Sequence, residues 1–185
     1  MTRRLPFFYG WAVVAAVFLV LMITAGLGFY NASVILSAAK DELGVSVQTV
    51  SLGPALFFGI SGMTGFVLSK RMAVADIRWF YLSGGLIGSL ALFGLRAVDS
   101  VFTYYVFFAV FGVGFALAGL VPSTTLVARW FEVKRSIALS IASTGLSVGG
   151  ILVTPIASRL IGDQTLAGAS TEMSLVWLIG VVPLA

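Results

Sequence analysis

The residues of this chain that could do chemistry are few, and their types exclude most kinds of catalysis. The sequence has no cysteine and no histidine. It therefore offers no thiol nucleophile, no imidazole ligand for zinc or haem, and no Ser-His or Cys-His catalytic pair. One short loop is charged and contains Arg129, Glu132, Lys134 and Arg135, with Trp130 and Phe131 at its edge. We expect no enzyme activity, no metal site and no cofactor.

The surroundings of this charged group indicate a membrane protein. A long uncharged, apolar run lies on each side of it. Two such runs joined by a basic, aromatic turn are typical of two membrane spans that meet at the cytoplasmic face. The whole chain is 59% hydrophobic and 10% charged, whereas soluble domains carry about 25% charged residues. The bilayer is therefore the expected partner. Nucleic-acid binding is not expected, because the basic residues lie in the gaps between apolar runs.

Apolar runs long enough to cross a bilayer, about 20 residues, recur along the chain. The predicted spans are residues 8–33, 47–68, 79–95, 101–127 and 137–158, and a sixth run at 173–185 is too short to cross. The first run is much longer than the apolar core of a signal peptide, about 7–15 residues. The sequence thus predicts an all-α membrane protein.

Local signals refine this prediction. Gly44 is expected to end the first helical segment and Ser46 to cap the next helix. The fourth span is expected to bend or break near Pro122. Small residues recur at helical spacing, as at Gly59, Gly62 and Gly65 in the second span, and they predict close packing between helices.

The positions of the basic residues predict the orientation. Eight of the 11 would be cytoplasmic if the N-terminus is cytoplasmic: Arg3, Arg4, Lys70, Arg71, Arg78, Arg129, Lys134 and Arg135. The other three are Lys40, Arg96 and Arg159. Because Lys and Arg are enriched in cytoplasmic loops, we expect a cytoplasmic N-terminus. The short loops suggest a prokaryotic plasma membrane. No charged residue lies inside a predicted span, so no intramembrane carboxylate is available to carry a coupling proton.

Several stretches resemble one family. The sequence RWFEVKRSIA at residues 129–138, followed by Ala142 and Gly145, is similar to the loop 4–5 and span 5 signature of the major facilitator superfamily. The branch it resembles is the monocarboxylate and oxalate–formate type. Residues 8–11, 42–46 and 122–125 resemble other parts of that branch. The resemblance covers nearly the whole chain. It implies the N-terminal six-helix half of a twelve-helix transporter, with its sixth helix truncated and its C-terminal half absent.

The resemblance also implies roles for the basic loops. In the family, a loop 2–3 motif contains an aspartate whose basic neighbours help it to hold the two halves in one conformation. Gly65 and Lys70 fit this motif, but Ser69 stands in place of the aspartate, and residues 72–75 look like an insertion. The loss of this carboxylate argues against the family's normal gating. The implied gating set is Gly65, Ser69, Lys70, Arg78, Arg129, Lys134 and Arg135.

For the solute path, the family uses spans 1, 2, 4 and 5 of this half. The residues implied there are Tyr30, Asn31, Ser51, Leu120 and Leu146. A tyrosine can donate its hydroxyl to a carboxylate while its ring packs in an apolar wall. The two leucines would make the cavity apolar. The alternative interpretation is that the three polar residues simply lie near the outer membrane interface.

The function implied by the resemblance is secondary active transport of a small solute, in particular a small organic anion such as a monocarboxylate. Two six-helix bundles would rock about a midplane site. The expected partners are the solute, with or without a coupling ion, and the absent second half. Two alternatives stay open: a nonfunctional or structural membrane fragment, and a half-transporter that dimerises. The 185-residue chain by itself is expected to transport nothing.

Overall fold

The helices begin and end close to the polar residues that separate the apolar runs. In the computed structural model, which describes residues 9–184, the helices are α1 (Gly10–Thr24), α2 (Asn31–Leu43), α3 (Val47–Val74), α4 (Ile77–Gly94), α5 (Val101–Ala118), α6 (Leu120–Trp130), α7 (Arg135–Gln164) and α8 (Leu166–Val181). A π-helical turn, Ala25–Tyr30, joins α1 to α2, and 3-10 turns follow α4 at Leu95–Ala97 and α8 at Val182–Leu184. Arg3, Arg4, Phe8 and Ala185 lie outside the described residues.

Five of these segments are long and apolar enough to cross a membrane. They are Gly10–Leu43, Val47–Val74, Ile77–Ala97, Val101–Trp130 and Arg135–Gln164. We call them spans 1 to 5, so that α1 and α2 form span 1 and α5 and α6 form span 4. The shorter helix α8 is the sixth segment. The predicted all-α membrane bundle is confirmed.

The predicted caps of the first loop are also confirmed. Gly44 adopts a left-handed conformation, with φ of 64°, and its N–H donates to the Lys40 carbonyl at 3.1 Å. Ser46 then starts α3, where its Oγ accepts a hydrogen bond from the Thr49 N–H at 3.3 Å. Glycine is favoured at the first position because it has no Cβ to clash.

Several helix ends differ from the sequence prediction. The first span continues to Leu43 and α3 continues to Val74, because exposed Ser, Lys and Ala side chains are compatible with a helix that leaves the apolar layer. Residues 72–74 therefore belong to α3 and are not a loop insertion. The sixth helix begins at Leu166, seven residues before the predicted start, because Thr165 caps it through the Gly168 N–H.

The fourth span breaks near Pro122, as expected. The break falls at Gly119, three residues before the proline. Pro122 lies in the first turn of α6, where a proline is tolerated because its missing N–H has no partner to lose.

An aromatic core holds the bundle together. Its fully buried side chains include Phe57 of α3, Phe111 of α5 and Trp177 of α8. The Phe111 ring lies 5.5 Å from the Phe57 ring and 5.0 Å from the Trp177 ring, measured between centroids. The Trp177 indole N–H also donates to the Gly84 carbonyl of α4 at 3.3 Å. These contacts join spans 2, 3 and 4 to α8.

Glycines allow two pairs of helices to approach closely. A Cβ at Gly114 of α5 would lie 2.6 Å from the Gly88 nitrogen of α4, and a Cβ at Gly26 of span 1 would lie 2.8 Å from the Gly149 carbonyl oxygen of α7. Only glycine fits such contacts. In α3 the prediction is wrong within this bundle, because a Cβ at Gly59 or Gly62 would meet no atom within 4 Å among the described residues.

Candidate transport face and basic end

The π-helical turn divides span 1 at the level of the predicted solute path. Its carbonyls do not follow the α-helical hydrogen-bond pattern, and such turns are frequent at functional sites. The Gly26 carbonyl accepts a hydrogen bond from Thr154 Oγ1 of α7 at 3.1 Å. A Cβ at Gly28 would lie 2.7 Å from the Phe115 ring of α5. This turn was not predicted, although the two glycines within AGLGFY are a signal for an irregular helix.

Three aromatic side chains at this level form what we call the open face: Phe29, Tyr30 and Phe58. They are 50%, 38% and 43% exposed. The Phe29 ring lies 5.0 Å from Tyr30 and 5.3 Å from Phe58 of α3, and a Cβ at Gly150 of α7 would lie 3.0 Å from the Tyr30 ring. The open face therefore runs from span 2 across span 1 to span 5, and it includes the predicted path residue Tyr30.

Asn31 points elsewhere. Its side chain is fully buried, and its Nδ2 donates to the Met173 sulfur of α8 at 3.5 Å. Its Oδ1 has no hydrogen-bond partner among the described residues. These two consecutive residues of span 1 thus lie in different surroundings: Tyr30 is on the open face, whereas Asn31 is in the core.

The other three predicted path residues lie apart. Ser51 is exposed in the first turns of α3 and donates its hydroxyl to the Val47 carbonyl at 2.7 Å. Leu120 begins α6 and lines a cavity of about 180 Å³ together with Gly65 and Phe115. Leu146 is half-buried against an apolar cluster between span 1 and span 5. The structure thus brings Leu120 next to Gly65 and leaves the other path residues in separate surroundings.

The predicted gating residues other than Gly65 lie at one end of the bundle, which we call the basic end: residues 69–78 and 129–135. There Arg129 ties α6 to α3. Its Nη2 donates to the Met72 carbonyl at 2.7 Å and to the Ala75 carbonyl at 3.0 Å. The last carbonyls of a helix have no partner within it, so a guanidinium can cap them. Sequence reasoning missed this contact because it ended the second helix too early.

Ser69 does not take part in that contact. Its hydroxyl donates to the Phe66 carbonyl of its own helix at 2.7 Å. Lys70 and Arg78 are exposed, and the backbone N–H of Arg78 donates to Asp76 Oδ1 at 3.1 Å. The gating residues therefore do not form one network within residues 9–184.

Two cavities lie side by side at the basic end. Arg129 and Arg135 line a cavity of about 260 Å³ with Thr124, Thr125 and three apolar residues. Lys134 lines the other, about 360 Å³, with Trp11, Trp130, Phe131, Glu132 and Val133. Within residues 9–184, no group of three or more acidic side chains could hold a metal ion.

The start of span 1 packs against this end. The Trp11 ring lies 5.3 Å from the Phe131 ring, and the Tyr9 ring lies 5.6 Å from the Trp130 ring. The aromatic pair of the loop between spans 4 and 5 therefore holds the first helix, in addition to its predicted position at the membrane interface.

Five membrane-length helices whose charged residues lie near their ends define a multi-pass integral membrane protein. Together with α8 they form a six-segment helical bundle. The chain belongs to the Major Facilitator Superfamily, whose family model matches residues 7–184.

Curated relatives agree with this assignment. The chain is 30% identical over 157 residues to an "MFS-type transporter" of Gibberella moniliformis, covering 83% of this chain and 35% of the relative. It is 26% identical over 168 residues to "Monocarboxylate transporter 12-B" of Danio rerio, covering 87% and 34%. It is 28% identical over 120 residues to "MFS transporter asaE" of Aspergillus flavus, covering 63% and 26%. The chain thus spans about a third or less of the length of these relatives.

Proposed function

We propose that this chain forms the N-terminal half of a secondary transporter that moves a small organic anion, such as a monocarboxylate, by alternating access. The observation that carries the proposal is the match to a transporter family over residues 7–184. The monocarboxylate class is supported by the similarity to a fish relative of that name and by the resemblance of the loop between spans 4 and 5. The partners would be the solute, a coupling ion where one is used, and a second bundle.

The low burial of spans 2 and 5 supports the proposal that a second helical bundle packs against them. In spans 2 and 5, 22% of the most apolar 18 residues are buried, compared with 61% in span 4. Gly59 and Gly62 of span 2 meet no neighbour within this part of the chain. Small residues in membrane helices usually serve close packing. We infer that a second bundle covers these surfaces of spans 2 and 5 and that the path follows the open face.

On this proposal Tyr30 contacts the solute. Its hydroxyl has no hydrogen-bond partner among the described residues, so it is available to a carboxylate. Ser51, Leu120, Leu146 and Asn31 remain proposed members of the path. In the full-length protein, Tyr30→Phe should weaken solute affinity about tenfold or more, because a hydrogen bond to a charged group contributes roughly 1.5–3 kcal/mol. Tyr9→Phe is the matched control and should leave affinity unchanged.

The decisive assay is uptake into proteoliposomes. A full-length protein that contains this chain should take up at least one labelled carboxylate from a broad panel above the empty-vesicle control. The 185-residue chain alone should take up none. A full-length protein that neither binds nor moves any member of the panel contradicts the proposal, and so does uptake by the isolated chain.

The orientation is a separate proposal, with the N-terminus and the basic end in the cytoplasm. Because the chain has no cysteine, single-cysteine variants carry no background. Val133→Cys reports on the basic end, where this side chain is 96% exposed, and Asp163→Cys reports on the opposite end. An impermeant maleimide added to intact cells should label only Asp163→Cys. If the maleimide labels only Val133→Cys, the basic end faces the outside and the proposed orientation is wrong. The proposal of a prokaryotic plasma membrane rests on loop length alone, whereas the relatives above come from fungi and a fish.

A second candidate is a half-transporter that pairs with another copy of itself. The uncovered surfaces of spans 2 and 5 favour it as much as they favour a second bundle. Met63 on α3 is 71% exposed, so Met63→Cys should cross-link between copies in membranes if this candidate holds. A strictly monomeric product would exclude it. The remaining alternative is a nonfunctional membrane fragment, because Ser69 stands where the family has an aspartate. The uptake assay tests this alternative as well.

A further inference from the structure

We propose that the cavity between α3, α6 and α7 at the basic end binds an oxyanion, a carboxylate or phosphate group, through the guanidinium groups of Arg129 and Arg135. We call it the arginine cavity. Both side chains line it, together with Thr124, Thr125 and three apolar residues. It lies at the end of the helices, away from the open face, and its use does not depend on the identity of the transported solute.

The first argument is the geometry of Arg129. Its Nη2 is fixed by the Met72 and Ala75 carbonyls, at 2.7 and 3.0 Å. A guanidinium carries five N–H donors, so the donors on Nε and Nη1 remain. The two contacts to α3 therefore hold the group in a defined place and leave part of its fork free. Planar forks of this kind match the oxygens of carboxylate and phosphate.

The positive charges of Arg129 and Arg135 are not neutralised by any acidic side chain within residues 9–184. The groups that hold Arg129 are neutral carbonyls, so its positive charge is not compensated. Arg135 makes no hydrogen bond or ion pair with any residue of 9–184. The two acids of the basic end form no ion pair with these arginines: Asp76 accepts from the backbone N–H of Arg78, and Glu132 lines the neighbouring cavity. An anion from outside the described chain is the missing partner of two adjacent cations.

The third argument is the space and its lining. The arginine cavity has a volume of about 260 Å³, several times the roughly 30 Å³ that one water molecule takes in the liquid. A small hydrated oxyanion therefore fits. Thr124 and Thr125 already donate their hydroxyls to carbonyls of their own helix, so the two arginines supply the recognition. Helix α7 begins at Arg135 without a side-chain cap, and its positive end adds to the potential.

The test is equilibrium binding of inorganic phosphate and of acetate to the purified chain in nanodiscs of neutral phosphatidylcholine. Arg135→Gln should weaken binding about tenfold or more, because it removes one charge-assisted contact. Arg129→Lys keeps the charge and loses the fork, and it should weaken binding by several-fold. Arg78→Gln is the matched control: it removes the same charge from the same end of the bundle but outside the cavity, and it should change affinity less than twofold.

A second arm separates a soluble anion from a lipid headgroup. In nanodiscs that contain phosphatidylglycerol, unchanged phosphate binding assigns the cavity to a soluble anion. Loss of phosphate binding there, with lipid retained by the wild type and lost by Arg135→Gln, assigns it to a headgroup. The proposal is overturned if neither free anion nor phosphatidylglycerol binds, if Arg135→Gln binds as the wild type does, or if Arg78→Gln weakens binding equally. None of these readouts needs transport, so they are independent of the uptake assay.

Discussion

Replacing Gly114 by alanine should separate two helices that now touch through their backbones. The added methyl group would lie 2.6 Å from the nitrogen and 2.7 Å from the Cα of Gly88 in α4. Carbon atoms are in favourable contact at about 3.5–4.0 Å. Neither neighbour is a flexible side chain that could turn away. The two helices must therefore move apart by about 1 Å.

The expected effect on stability is the difference between two opposing terms. Overpacking of this kind costs about 1–3 kcal/mol. Alanine is better than glycine in a helix by roughly 1 kcal/mol, which offsets part of that cost. Because the close atoms belong to backbone, the cost lies in the upper part of that range. We therefore expect a net loss of about 1–2 kcal/mol, which corresponds to a fall in Tm of about 2–8 °C for a chain of this size.

The matched control is Gly62→Ala in α3. It makes the same chemical change in another membrane helix, but its methyl group would meet no atom of the described bundle within 4 Å. In the 185-residue chain its Tm should stay the same or rise. Thermal unfolding in detergent can be followed by the fluorescence of the four tryptophans. The reasoning fails if Gly114→Ala melts at or above the wild-type temperature, or if Gly62→Ala falls by as much.

The same control variant tests the proposed second bundle. If that bundle packs on α3 at Gly62, the alanine that is harmless in the 185-residue chain should destabilise the full-length protein by about 1–3 kcal/mol. An equal Tm for the full-length wild type and its Gly62→Ala variant would show that the second bundle does not approach this glycine.

Three further changes follow from single contacts. Thr165 has φ of 96° and ψ of 166°, a region that is essentially confined to glycine. Thr165→Gly should therefore raise the free energy of unfolding by about 1 kcal/mol, although it removes the helix cap. A lower Tm for this variant would show that Thr165 is not strained. The hydroxyls of Tyr81 and Ser123 are buried and 2.9 Å apart. A double-mutant cycle with Tyr81→Phe and Ser123→Ala should therefore give a coupling free energy of about 0.6–1.7 kcal/mol. A coupling of zero would show that this hydrogen bond does not contribute to stability. Asn31→Leu removes a buried acceptor that has no partner within residues 9–184, so stability should stay equal or rise by about 1 kcal/mol. A fall would mean that Oδ1 is satisfied.

Local chemistry in the sequence was enough to predict some elements. Gly44 and Ser46 are fixed by interactions within a few residues, namely a left-handed turn and a cap on the third N–H of the next helix. The apolar runs predicted the number of long spans for a similar reason, since a run of about 20 apolar residues has few other stable surroundings. Such features depend on the chain near them and hardly at all on its distant parts.

Features that depend on distant parts of the chain were not predictable. The π-helical turn is held by Thr154, which lies 128 positions after the Gly26 carbonyl that it contacts. Asn31 could be recognised as a polar residue in a span, but its burial against Met173 depends on where α8 packs. The side of a helix that each residue occupies was therefore the main unknown of the candidate site, and Tyr30 and Asn31 show that neighbouring residues can occupy different sides.

The contacts at the basic end restrict how a gate could work there. Ser69 is bonded within its own helix, and Arg129 is bonded to two carbonyls of α3. If Arg129 exchanged these partners for a group on a second bundle, it would leave the Met72 and Ala75 carbonyls at the end of α3 without their present donor. We propose that a contact between the halves that forms and breaks during transport would use exposed cations whose side chains make no hydrogen bond within residues 9–184, such as Lys70, Arg78 and Lys134. Arg129 instead ties span 4 to the end of span 2.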